Sequence, residues 1–221
     1  MRRGRRSGKS VEVGWYDVFS SFYDASLERL YLPFRRAAAE RLSLAPGQRV
    51  LDAGTGTGQS LDLLSPAVGK EGLVVGVDQS QGMLARAARR AADKDLSNVR
   101  LVRGSLLDLD RGAIGPHLPA DRGFDRALAF LVMSALPEWE HATDRVWSLL
   151  EPGGMMMIVD AHTDAIGLQG HLVNFTARAD IRRRVWSRLE AVGEGFVLER
   201  LPAPSSVGGD IVIARGTKPA R

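Results

Sequence analysis

Hydrophobic positions in this chain fall into short continuous runs separated by longer stretches of mixed polarity. Val50, Leu51 and Ala53 form the first run. Leu73–Val77, Val99–Val102, Phe124–Phe130 and Met155–Val159 form the next four. Runs this short, rich in Val, Leu and Ile, read as strands covered on both faces. Helical spacing fills the intervals: a helix opening at Ser60–Leu64, one from Ser80 to about Ala92, and one from Pro137 to near Leu150. Such alternation predicts an α/β fold with a doubly wound, mainly parallel sheet of Rossmann-like type. Downstream, the pattern predicts a helix near Ala179–Ala191, a strand Phe196–Leu201 and a last, antiparallel strand Asp210–Ala214, for seven strands in all. Upstream, Phe19, Phe22 and Tyr23, then Leu27, Leu30 and Tyr31, recur at helical spacing, and Pro33 is expected to split that region into two helices. The division expected is a basic tail over 1–12, an N-terminal helical lid over 13–44 and one domain over 45–221.

Composition changes this picture little. With 221 residues, 44% hydrophobic and 25% charged, the chain suits one domain with a sizeable core. The absence of cysteine removes disulfides, thiolate metal sites and cysteine nucleophiles together, and suits a reducing compartment. No apolar run reaches membrane-spanning length, and the basic start is not followed by an apolar stretch, so a cytoplasmic location is expected. The net charge of +4 owes much to Arg2, Arg3, Arg5, Arg6 and Lys9. That tail reads as a solvated terminus, or as an arm making weak contact with an anionic lipid surface or with nucleic acid. No aromatic residue is interleaved with these charges, which disfavours nucleic acid.

The chemistry concentrates in Asp52-Ala53-Gly54-Thr55-Gly56-Thr57-Gly58, where the first strand turns into a helix. Glycine is used where the backbone adopts unusual dihedrals and where a ligand approaches the main chain. The dinucleotide fingerprint needs a third small residue three places after the second glycine, and this spacing lacks it. Asp78 ends the second strand at the distance expected of a ribose-binding acid, and Ser80 reads as a helix N-cap. Among the histidines, His162 lies just past the fifth strand at the sheet's functional edge and is the candidate general base, with Asp160 the alternative acid there. No cluster of histidines and acids has metal-ligand spacing.

In this order, Val50–Gly58, Val75–Leu84, Phe124-Asp125 with its strand, and Leu150–Gly154 resemble class I S-adenosylmethionine-dependent methyltransferases across 45–160. Trp15-Tyr16-Asp17 and Tyr23-Asp24 resemble the leader of the subgroup that methylates quinone rings, lipid head groups and other small molecules. The resemblance implies S-adenosylmethionine as cofactor and S-adenosylhomocysteine as product. It implies that Gly54, Thr55, Gly56 and Gly58 line the methionine part, with Asp52 close by. Asp78 would hold the ribose, and Gln79, Met83, Ser105 and Leu106 would lie around the adenosine. Phe130 and Leu131 would border the sulfonium, and Tyr16 or Tyr23 would close over the methionine carboxylate. Ser105 departs from the family's usual aspartate. The activity implied is methyl transfer to a small-molecule or lipid acceptor, by a monomer or homodimer. The alternatives are a non-catalytic S-adenosylmethionine-binding module and a nucleotide-cofactor oxidoreductase on a related fold.

Overall fold

A computed structural model describes residues 28–118 and 122–220. Seven strands form one sheet in the order β3-β2-β1-β4-β5-β7-β6. They are β1 Arg49–Ala53, β2 Leu73–Asp78, β3 Val99–Arg103, β4 Phe124–Phe130, β5 Leu150–His162, β6 Glu194–Leu201 and β7 Asp210–Thr217. β1 pairs in parallel with β2 and β4, and β5 continues that direction from β4. β7 is antiparallel to both β5 and β6, between which it lies. The doubly wound, mainly parallel sheet with an antiparallel last strand is as the hydrophobic runs predict. The strand order reverses between β1 and β4, which opens a crevice at their carboxyl ends.

Alternate residues of each strand feed two cores. One face is filled by Leu51, Val75, Ala127 and Ile158 with α5 (Trp139–Ser148) and α7 (Ser187–Val192) packed over it. The other carries Val50, Val74, Leu128 and Met157 under α1 (28–42), α2 (Leu61–Val68) and α3 (Gln81–Asp93). A short helix α4 (Arg111–Ile114) follows β3, and α6 (Leu168–Ala177) follows β5.

Three expectations need correction. Pro33 does not split its helix; α1 runs through it. Proline removes one hydrogen bond there, while Tyr31, Phe34, Ala38 and Leu42 keep one face of the helix in the core. The fifth strand, expected over Met155–Val159, starts at Leu150 as β5, because Gly153 N–H donates to the Lys218 carbonyl and Lys218 N–H to the Gly154 carbonyl beside β7. The helix expected at 179–191 begins only at Ser187. Arg178 takes a left-handed conformation that ends α6, and Asp180 and Ile181 N–H are bound by the Ser134 carbonyl and the Asn174 side chain. The tail, the lid's first part over 13–27 and Tyr16 and Tyr23 lie outside the described residues. Among the described residues no helix is long and apolar enough to cross a membrane.

At the edge of the sheet away from the crevice, Asp125 of β4 clamps Arg49 of β1. Its carboxylate accepts from Arg49 N–H at 2.7 Å, Nε at 3.1 Å and Nη2 at 3.0 Å. Burial pushes the Asp125 pKa up, but the Arg49 hydrogen bonds and charge outweigh it and leave the pKa below the ordinary value. The clamp's contribution is therefore present above the ordinary carboxylate pKa and disappears as pH falls through the lowered one. Asp125→Ala is expected to cost about 2 kcal/mol at neutral pH. Thermal melts should show that as a drop of about 4–8 °C, shrinking towards zero in strong acid.

Candidate active site

The crevice is lined from the ends of β1, β2, β4 and β5 and roofed by α1 and α6. β1 delivers the glycine loop. Gly54 has φ +75° and sits so close to Val132 that a side chain would collide with it. Gly56 has φ +56°, and the place of its missing side chain is open space beside the cleft. Gly58 serves differently: it packs on Leu61 and Ala87, letting the loop lie against α3, and it does not line the cleft.

Asp52 lies beneath this loop. It is buried, does not line the cleft, and accepts from Thr55 Oγ1 at 2.5 Å. Burial raises its pKa to about 6 against the pull of Thr55 and of nearby Arg35. Its visible work is to hold the loop rather than to face a ligand. Asp78, at the end of β2, does line the cleft. Oδ2 accepts from Gly56 N–H and Oδ1 from Ser80 N–H, each at 2.9 Å. Burial raises its pKa, and the N–H groups of Ser80, Gly56 and Gln79 offset this only in part. With three N–H partners, the carboxylate keeps about one acceptor site for a ribose hydroxyl. Ser80 caps α3 as expected, its Oγ accepting from Met83 N–H at 3.2 Å, and so aims Gln79 and Met83 at the cleft.

Ser105 and Leu106 form the neighbouring wall. Ser105 Oγ accepts from Leu107 N–H at 3.1 Å, which fixes the turn and leaves a lone pair and the hydroxyl proton available. Phe130 and Leu131 close the far side. Leu131 has φ 55°, a strained value for a branched residue, and its N–H donates to the Val159 carbonyl at 2.7 Å. That bond holds the rim in place.

His162 is elsewhere. It is the last residue of β5, 2% exposed, with its ring edge-on to Trp186 at 4.7 Å between centroids and Nε2 3.2 Å from Asp164. The pairing of β5 with β7 extends to His162 and Asp210, so the strand that the sequence ends before His162 includes it. Asp160, two residues earlier, lines the cleft instead and is 1% exposed. It accepts from Ser134 N–H at 2.9 Å, Ser134 Oγ at 2.7 Å and Ala161 N–H at 2.9 Å. Burial outweighs these bonds and raises its pKa to about 6.

Sequence reasoning missed Arg35. Its guanidinium stacks 3.9 Å over the Phe130 ring, donates to Ser60 Oγ at 2.6 Å and lines the cleft. Its position four residues after Tyr31, on the buried side of a helix, was the available signal.

Residues 50–154, just under half of the chain, match the model of a family described as a methyltransferase domain. The arsenite methyltransferase of Halobacterium salinarum is 34% identical over 119 residues, 53% of this chain and 28% of that protein. The demethylmenaquinone methyltransferase of Oceanobacillus iheyensis is 26% identical over 165 residues, 71% of this chain and 65% of that protein. The chain thus spans less than two thirds of the length of either relative. A SAM-dependent methyltransferase from Aquifex aeolicus shares the fold, with a TM-score of 0.62 at 19% identity over 91% of this chain and 97% of that one.

Proposed function

We propose that the protein transfers the methyl group of S-adenosylmethionine to a small, mostly apolar organic acceptor by in-line displacement. The observation that carries this is one cleft with two chemically distinct halves. The glycine loop, Asp78 and Ser105 make a polar half suited to an amino-acid nucleoside. Leu131, Leu136, Val173 and Ile181 make an apolar half beyond it. S-adenosylmethionine, when bound, supplies a methyl already activated by its sulfonium. The residues present fit it: Gly56 admits the ligand to the main chain, Asp78 accepts from a ribose hydroxyl, and Arg35 meets the methionine carboxylate. What remains for the protein is alignment and exclusion of water.

The acceptor is the finer part of the proposal. With no cysteine in the chain, a soft, thiol-seeking acceptor such as the one named for the Halobacterium relative finds no thiolate here. A ring compound of the kind named for the Oceanobacillus relative suits the apolar half better. Where its nucleophile carries a proton, Asp160 is the group in the cleft placed to receive it.

Calorimetric titration with S-adenosylmethionine and S-adenosylhomocysteine tests the cofactor reading. Micromolar binding of both is expected, and binding of neither overturns it. Arg35→Ala should weaken S-adenosylmethionine about tenfold or more by removing a charge-assisted partner, while leaving the affinity for methylthioadenosine, which has no carboxylate, unchanged.

A further inference from the structure

Helix α6 presents its apolar side chains to solvent. Leu168, Leu172 and Phe175 are 88%, 61% and 76% exposed, and at 100° per residue they fall within an arc of about 60°. Gly170, on the opposite side of the helix, packs against Gly208 and Ile181, and Val173 lines the cleft. The stripe is therefore an outward face of a helix whose other side helps to build the active-site wall. Isolated exposed apolar residues are ordinary, but three on one face beside a functional opening mark a contact surface.

The surroundings define the partner. Residues 178–188 hold five arginines and one aspartate. Asn174 binds this segment back to the last turn of α6: its Oδ1 accepts from Ile181 N–H at 3.0 Å and its carbonyl from Ala179 N–H at 3.1 Å. Arg182 and Arg184 are largely exposed, and their ion pairs with Asp180 and Glu190 are each 3.4 Å long. Exposed pairs of that length hold a guanidinium weakly. Apolar side chains pointing outward from α6, together with an arginine-rich segment tied to that helix's last turn, match the layering of an anionic membrane surface, with acyl chains inside and phosphates outside.

We propose that α6 and the arginine segment after it dock on an anionic lipid surface, with Leu168, Leu172 and Phe175 entering the interface and Arg182 and Arg184 meeting phosphates. Docked in this way, the helix whose inner side carries Val173 on the cleft wall lies against the bilayer, which brings the cleft beside an acceptor dissolved there. The acceptor class rests on the methyltransfer reading; the docking does not.

The test is sedimentation of the full chain with vesicles of phosphatidylcholine, with and without phosphatidylglycerol. Wild type is expected to bind the anionic vesicles and to lose binding as salt rises. The L168S/L172S/F175S variant should bind them about tenfold more weakly or worse, with S-adenosylmethionine affinity and thermal midpoint unchanged. These positions are exposed, so folding is not at stake. Failure of wild type to bind overturns the proposal. So does equal binding by the variant, which would assign the affinity to the basic tail. Vesicle binding that appears only after deletion of residues 1–27 would mean the stripe is covered by the chain's own N-terminal segment, and a dimer that the variant dissociates would assign it to a second copy; either result also overturns it. Cofactor titration in the same samples reports separately on the methyltransfer reading.

Discussion

Asp78→Ala is expected to weaken S-adenosylmethionine binding by about a hundredfold or more. Two losses combine in that figure. The carboxylate would no longer accept from the ribose, and it would release the N–H groups of Gly56 and Ser80, which it now holds at 2.9 Å each. The second loss loosens the turn that presents the cofactor site, so part of the effect is preorganisation. Asp78→Asn separates the two: it keeps one acceptor oxygen and the shape, and should lose less. Calorimetry on both variants checks this. Affinity for S-adenosylmethionine unchanged in Asp78→Ala would remove the ribose assignment.

Asp160→Asn is expected to lower kcat by about a hundredfold or more for an acceptor that must shed a proton, with S-adenosylmethionine affinity unchanged. The carboxyl has a pKa of about 6, and only its ionised form takes a proton. The wild-type rate should therefore rise through about pH 6 and level above it, and the variant should lack that limb. An activity within threefold of wild type, or an unaltered pH profile, refutes the role. The raised pKa also has a stability side. Folding favours the protonated acid, so the carboxyl costs nothing below its ordinary value and progressively more as pH climbs to about 6, reaching about 3 kcal/mol. A fully buried acid held at that cost, inside a cleft, is what a proton acceptor requires.

The half of the cleft proposed for the cofactor was legible where local chemistry dictates it. A glycine loop after a buried strand, an acid ending the next strand and a serine cap each depend on residues within a few positions of one another. Gly54, Thr55, Gly56 and Asp78 line one cleft, together with Gln79, Met83, Ser105, Leu106, Phe130 and Leu131, which the family resemblance implied. What was not legible depends on distant partners. His162 looks like a loop residue until β7 arrives and extends β5 to include it. Asp52 looks like a ligand contact until Thr55 folds over it. Arg35 follows Tyr31 by one helical turn, but only the distant Phe130 ring beneath its guanidinium brings it into the cleft. α6 escaped notice for a related reason: its apolar residues face outward, so no buried stripe announced it.

The placement of β7 bears on how the molecule is made. β5 borders β4 on one side and receives β7 on the other, yet β7 comes last in the chain among the seven strands of the sheet. Until it is made, Met157, Ile158 and Val159 stand on a naked margin, with main-chain donors and acceptors open to any passing strand. Synthesis that stalls before Asp210 would thus yield a sticky intermediate. A nascent-chain chaperone recruited between Leu150 and Asp210 would be the cell's natural safeguard.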